Sequence, residues 1–250
     1  MTEIPVYTTH LPFLTSKQMI EVDRAMIEDY GILLIQMMEN AGRNLANLAI
    51  KRFLKQLPSG KNIIILAGPG GNGGGALVCA RMLHNYGSDV HILTSREKSY
   101  FKEIPAHQLE IISKMGISIT NYSSITSPPK IDLIIDGLIG YSLRGAPRDG
   151  AANLINWANL QAAPILSLDT PSGMDSTNGT VHSPTIKASA TMSLALPKIG
   201  QNLPEFSMCI GELYLADISV PPGLFNNSPL NLDIPNLFAQ ADVIRLKPNR

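Results

Sequence analysis

The chain has 250 residues, 44% of them hydrophobic and 16% charged, with 20 basic residues balanced by 20 acidic ones. A neutral chain of this size can bury a substantial core. It lacks the basic excess that nucleic acid or an anionic membrane surface selects, so neither is expected as a partner.

Residues 15–57 read as two helices. Ser16 is placed to cap the first, which carries Met19, Ile20, Val22, Met26 and Ile27 and stops at Gly31. The second covers residues 33–54, and its apolar positions spread over more than one face, which predicts burial on two sides. Residues 62–67 (NIIILA) form a continuous apolar run, the pattern of a strand buried on both faces of a parallel sheet. A helix over residues 73–86 follows, then a strand at 89–94 and a helix at 104–115. Further strands are predicted at 131–135, 164–168 and 190–195, with a helix at 151–160 between the first two. This alternation predicts an α/β fold, a three-layer αβα sandwich around a mostly parallel sheet. One domain is expected over residues 1–220, and residues 221–250, rich in Pro and Asn, read as a wrapping tail or linker. No run of about 18 apolar residues occurs to span a membrane, and no export signal opens the chain. The cytoplasm is the expected compartment. Cys79, in an apolar helical run, reads as a buried thiol, and it lies too far from Cys209 for a compact metal motif.

After the strand at 62–67 comes the run Gly68-Pro69-Gly70-Gly71-Asn72-Gly73-Gly74-Gly75, with six glycines among its eight residues. A loop at the carboxyl end of a parallel strand, opening a helix, is where backbone amides and the helix dipole face an anion. Six glycines exceed what a tight turn needs, which points to a phosphate-bearing ligand. Gly68, Gly70 and Gly73 satisfy G-x-G-x-x-G, but the next strand ends Thr94-Ser95-Arg96 without the ribose-binding acid of a dehydrogenase. No Lys-Ser/Thr pair follows the glycines, so the P-loop reading fails as well.

Two aspartates end later strands: Asp136, before Gly137-Leu138-Ile139-Gly140, and Asp169, before Thr170-Pro171-Ser172-Gly173. Both belong to the sheet edge that carries the glycine run, where open α/β sheets bind ligands. A carboxylate there can coordinate a cation or serve as a general base. Asp136 with the amide oxygen of Asn72 and the hydroxyl of Ser172 makes an all-oxygen set for a hard cation, and its single carboxylate suits a monovalent ion. Arg144 is placed to meet a ligand phosphate or to stand solvated. The five histidines show no ligand spacing.

Taken in order, Thr15-Ser16-Lys17-Gln18-Met19, Asp23, Met38-Glu39-Asn40-Ala41-Gly42, the glycine run, Asp136-Gly137-Leu138-Ile139-Gly140, Asp169 through Asp175, and Leu196-Pro197-Lys198 resemble the NAD(P)H-hydrate epimerases, the YjeF N-terminal domain. The resemblance covers residues 13–220. It implies a Rossmann-like fold, a homodimer, and interconversion of the R and S forms of hydrated NADH and NADPH, damaged cofactors hydroxylated at C6 of the reduced nicotinamide ring. It also implies a partner NAD(P)H-hydrate dehydratase, which consumes one epimer, and a potassium ion held by Asn72, Asp136 and Ser172. The implied substrate contacts are Gly71, Asn72, Gly73, Gly74 and Gly75, then Gly140, Tyr141, Ser142, Leu143, Arg144, Gly145 and Ala146, and Asp169. Asp169 is the candidate acid/base. The tail motif Ala241 through Pro248 is similar both to the segment joining epimerase to dehydratase in fused members and to the tail of stand-alone ones. The family's loop reads GPGNNGGDG where this chain has GPGGNGGGA, so Gly71 replaces an Asn and Gly75 an Asp. Those departures set an alternative beside the epimerase: a catalytically impaired member using the cleft as a nucleotide- or protein-binding module.

Overall fold

The computed structural model describes residues 3–124, 130–177 and 180–247. β1 (Val6–Tyr7) leads to α1 (Ser16–Glu28). Thr15, not Ser16, caps that helix: its hydroxyl accepts from the Gln18 amide at 3.1 Å, and the Gln18 side chain accepts from the Thr15 amide at 2.9 Å. Ser16 is thereby free to reach the Tyr141 carbonyl. Gly31, at φ +67°, turns the chain into α2 (Leu34–Arg52). As its apolar pattern predicts, α2 is buried on two sides. Met38, Leu45 and Leu48 enter the main core, while Met37 and Ala41 enter a second one with α1.

The alternating region runs β2 (Asn62–Ala67), α3 (Gly71–Asn85), β3 (Asp89–Thr94), α4 (Glu103–Lys114) and β4 (Ser118–Asn121). It continues with β5 (Leu133–Gly137), α5 (Asp149–Asn159), β6 (Ile165–Leu168) and β7 (Ala190–Leu194). α6 (Ser207–Ile210), β8 (Glu212–Ala216), α7 (Pro222–Asn226) and β9 (Val243–Leu246) complete it. The nine strands form one sheet in the order β1-β9-β8-β7-β6-β5-β2-β3-β4, with every neighbouring pair parallel except β8 and β9. Side chains alternate as the pleat requires: Ile63 and Ile65 pack beneath α2, α3 and α4, whereas Ile64 and Leu66 pack beneath α5 on the other face. The predicted three-layer, Rossmann-like architecture is therefore present. Among the described residues, no helix is long and apolar enough to cross a membrane. Both cysteines are free and buried.

Four strands fall outside the sequence prediction, the two-residue β1 among them. β4 is a short, half-buried edge strand, and β8 follows a stretch with no strand–helix alternation. β9 lies inside the segment set apart as a tail or linker. That segment is not separate: β9 pairs with β8 and β1, and Leu224, Phe225, Leu230, Ile244 and Leu246 join the core around α1. Apart from Pro222 and Asn226 in α7, its described Pro and Asn residues occupy the connections, and the four residues VIRL carry the strand. Pro248, the last residue of the tail motif, lies outside the described residues.

The sheet order reverses between β2 and β5, since β3 and β4 continue to one side and β6, β7 and β8 to the other. Connections leaving adjacent strands in opposite directions open a crevice at their carboxyl ends. α3 begins there at Gly71, two residues earlier than predicted, so Gly71 through Gly75 form its opening turns rather than a loop. Their lack of side chains is largely a packing requirement. A Cβ on Gly73 would overlap the Gly68 carbonyl, while one on Gly71 would meet nothing within 4 Å. Gly73→Ala is therefore expected to cost about 3 kcal/mol or more, because rigid backbone must yield. Gly71→Ala is expected to be neutral or to stabilise by up to about 1 kcal/mol, as helical glycines do when replaced without strain. Urea denaturation of the two variants checks the contrast, and equal losses would refute it.

Candidate functional site

At the end of β5, Asp136 is completely buried. One of its oxygens accepts from the Leu138 amide (3.2 Å) and the Ser172 hydroxyl (2.6 Å). The other accepts from the Ser167 hydroxyl (2.8 Å) and the Ser172 amide (2.9 Å). No basic side chain contacts the carboxylate among the described residues. Burial pushes its pKa up, against the pull of those four donors. Asn72 approaches the same turn from the start of α3. Its amide nitrogen donates to the Leu168 carbonyl at 2.8 Å, and its oxygen stands 2.5 Å from where a Cβ of Gly140 would be. Ser172 also accepts from the Ile139 amide at 2.9 Å. All three predicted cation ligands thus surround the short run 137–140. An all-oxygen donor set around a buried carboxylate with no countercharge fits a monovalent cation.

Asp169, at the end of β6, is 2% exposed and has a φ of +64°. The Thr170 amide donates back to the Leu168 carbonyl at 2.8 Å, closing a three-residue γ-turn around Asp169. A non-glycine residue held there stores about 1–3 kcal/mol of strain. The turn is pinned by the Asp169 amide donating to the Met192 carbonyl (2.7 Å) and by the Gln201 side chain donating to the Asp169 carbonyl (2.6 Å). The carboxylate is ion-paired to Lys198, itself 0% exposed, and its second oxygen is buried with no hydrogen-bond partner. Lys198 also donates to the Leu194 carbonyl (2.8 Å) and the Ser193 hydroxyl (3.3 Å). Its backbone is fixed by the segment before α1: the Leu14 amide donates to the Pro197 carbonyl, and the Ile199 amide donates to the Leu14 carbonyl.

Tyr141 projects from the loop after β5. Its hydroxyl donates to Asp23 on α1 at 2.5 Å, and its carbonyl accepts from Ser16 (3.2 Å) and Ser176 (3.3 Å). Burial raises the Asp23 pKa, with the Tyr141 hydrogen bond and the positive charge of Lys198 acting against it and Asp169 acting with it. The Tyr141 phenol is raised too, by burial and by Asp23. Asp23, Asn72, Tyr141 and Asp169 supply the polar lining of one cavity, with Met19, Leu34, Met37, Met38, Leu168, Leu194 and Ile218 among its apolar lining.

Of the predicted substrate contacts, Gly71, Asn72, Gly75, Tyr141 and Asp169 line that cavity. Gly73 and Gly74 do not; they are buried where α3 packs on Gly68 and Met38. Gly140 lies against Asn72. Leu143 is half-buried, whereas Ser142, Arg144, Gly145 and Ala146 are exposed outside the cavity. Arg144 pairs with no carboxylate among the described residues. A Cβ on Gly75 would stand 2.8 Å from the Leu168 side chain, so Leu168 occupies the space that a side chain at position 75 would need. Sequence reasoning missed two groups as site residues, Lys198 and Asp23, although the motifs containing them were visible. A lysine after Leu-Pro and an aspartate within a helix carry no local sign of burial beside Asp169.

A family description, "YjeF-related protein N-terminus", matches residues 34–200. A relative from Dehalogenimonas lykanthroporepellens, called "NAD(P)H-hydrate epimerase", is 38% identical over 218 residues, covering 87% of this chain and 86% of its own. One of the same name from Rhodopirellula baltica is 31% identical over 214 residues, covering 84% and 86%. A "Bifunctional NAD(P)H-hydrate repair enzyme Nnr" from Salinibacter ruber is 29% identical over 84% of this chain but only 41% of its own length. The crystal structure of the yeast protein ynu0, YNL200c, superposes with a TM-score of 0.79 over 94% of this chain and 100% of that one, at 24% identity, which shows a shared fold. The alternative of an impaired binding module finds no support among these relatives.

The electrostatics of Asp136 can be tested alone. Because its folded pKa is raised, the folded chain retains a proton that the unfolded chain releases as pH rises above about 4. In buffer free of small cations, the wild type should lose stability relative to Asp136→Asn as pH rises from about 4, and the difference should level off once Asp136 is ionised in the fold. Paired urea titrations across pH measure this, and a pH-independent difference would exclude a raised Asp136.

Proposed function

We infer the chemistry of this chain from the family to which it belongs, the YjeF-related protein N-terminus family: it is an NAD(P)H-hydrate epimerase, interconverting the R and S forms of hydrated NADH and NADPH. The observation that carries the reaction is the unpartnered, buried carboxylate oxygen of Asp169 in a cavity with mostly apolar walls.

Epimerisation at C6 requires the hydroxyl to leave one face of the ring and return on the other. Apolar walls favour the ring. Asp169 is the acid/base: its free oxygen moves a proton to or from the hydroxyl, while Lys198 holds the other oxygen and keeps the carboxyl oriented. The start of α3, with the unpaired amides of its first turn, faces the dinucleotide's phosphates. Asn72, Asp136 and Ser172 would hold a potassium ion, which when bound supplies the countercharge that the buried Asp136 lacks. The same reading makes the enzyme a cytoplasmic homodimer. An NAD(P)H-hydrate dehydratase takes its product, as the bifunctional repair enzymes of this family suggest.

Two measurements test this. Incubated with hydrate enriched in one epimer and followed by chromatography, the wild type should restore the mixture well above the spontaneous rate. Asp169→Asn should slow it by about 10²-fold or more, the scale of a lost general acid/base. A wild type no faster than the spontaneous reaction would refute the activity. Separately, potassium should raise the melting temperature of the wild type and leave that of Asp136→Asn unchanged; an equal response would refute the cation site.

A further inference from the structure

The cavity contains a second carboxylate to which the epimerase reading assigns no role. Asp23 comes from α1 and Asp169 from the end of β6, so the two enter the same space from different walls. Each has one oxygen engaged and one available. The Tyr141 hydroxyl occupies one oxygen of Asp23, and no group among the described residues donates to the other. Lys198 and the Leu194 amide occupy one oxygen of Asp169, and its other oxygen has no partner. Their surroundings differ in sign. A buried ammonium is ion-paired to Asp169, whereas Asp23 hydrogen-bonds a neutral phenol and loses hydration to the cavity, with Lys198 acting on it only through space. Two carboxyl groups whose environments separate them in this way divide into an acid and a base.

We propose that Asp23 is the second proton-transfer residue of the site, acting on the face of the ring opposite Asp169, with Tyr141 orienting it. The inference rests on the epimerase reading. One carboxylate cannot serve both faces of a planar ring without the ring turning over, and two on different walls can. In the forward step the C6–O bond breaks and its electron pair leaves with oxygen. That oxygen takes a proton from the Asp23 carboxyl and departs as water, while the ring-nitrogen lone pair forms the C=N bond of an iminium cation. Water then adds to the other face of C6 and gives its extra proton to Asp169. One proton has moved from Asp23 to Asp169, and nothing is oxidised or reduced. The reverse conversion restores the starting state.

The test separates proton transfer from the alternative, a latch in which Asp23 merely anchors Tyr141. Asp23→Asn still accepts from the phenol but carries no acidic proton. Tyr141→Phe breaks the latch and leaves the acid in place. Asp23→Asn should lower kcat by about 10²-fold with KM changed by less than about threefold. Tyr141→Phe should lower kcat by less than about tenfold. Added formate should restore part of the rate to Asp23→Ala, and circular dichroism should show all three variants folded. If Asp23→Asn is as active as the wild type, or Tyr141→Phe loses as much as Asp23→Asn while formate restores nothing, the proposal is overturned and the epimerase reading stands. A wild type without activity overturns both.

Discussion

The arrangement of the site depends on one interaction, the ion pair between Asp169 and Lys198, with both partners removed from water. Such pairs are stable only when their remaining hydrogen-bonding capacity is met, because desolvation costs several kcal/mol per ion. Lys198 meets that condition: its three donors go to Asp169, Ser193 and Leu194. Asp169 does not, since one oxygen is left without a partner at a cost of about 1–3 kcal/mol, and its backbone is strained as well. A pair selected for stability would have satisfied that oxygen and relaxed the turn. Holding both costs in one residue keeps an acceptor bare in a side chain that lines the cavity. It also explains why so much distant chain converges there: Leu14 before α1, Met192 and Leu194 of β7, and Gln201 each hold a part of it.

Asp136 and Asp169 announce themselves in the sequence by the same signal, an aspartate at a strand end followed by a glycine-bearing turn. The structure gives them opposite surroundings. Asp136 accepts four neutral hydrogen bonds and has no cation, so burial raises its pKa against the pull of those donors. Asp169 has a cation and almost no other donors. Local sequence cannot distinguish the two, because what differs is supplied from elsewhere: Ser167 and Ser172 for the first, Lys198 for the second.

What was legible in the sequence follows the range of the forces involved. The buried parallel strands β2, β3, β5, β6 and β7 and the helices between them are set by local hydrophobic runs and turn residues, and they stand where those patterns placed them to within two residues. β1, β4, β8 and β9 are defined by a sheet assembled from distant segments. The residues proposed to hold a cation were readable because Asp136 stands at the end of β5, while Asn72 and Ser172 stand in the segments that follow β2 and β6. Lys198 and Asp23 were not, because their meaning arises from burial beside Asp169. The glycine run was read as a phosphate loop on the strength of its number of glycines. Several of those glycines are instead demanded by close packing of α3 on the Gly68 carbonyl and on Met38, and Gly71 is one that packing leaves free.

That packing also bears on Gly71 and Gly75, where the chain departs from the loop its family carries. Gly71 lies open, so a side chain there would project from the helix start without disturbing the core. Gly75 is different, because Leu168 closes against it and lines the cavity beside Asp169. A carboxylate at position 75 would displace that leucine and add a third negative group to a space already holding Asp23 and Asp169, where Lys198 is paired with Asp169. Glycine with leucine gives the same space an apolar wall. The charge that remains is confined to Asp23, hydrogen-bonded to the Tyr141 phenol, and Asp169, ion-paired to Lys198.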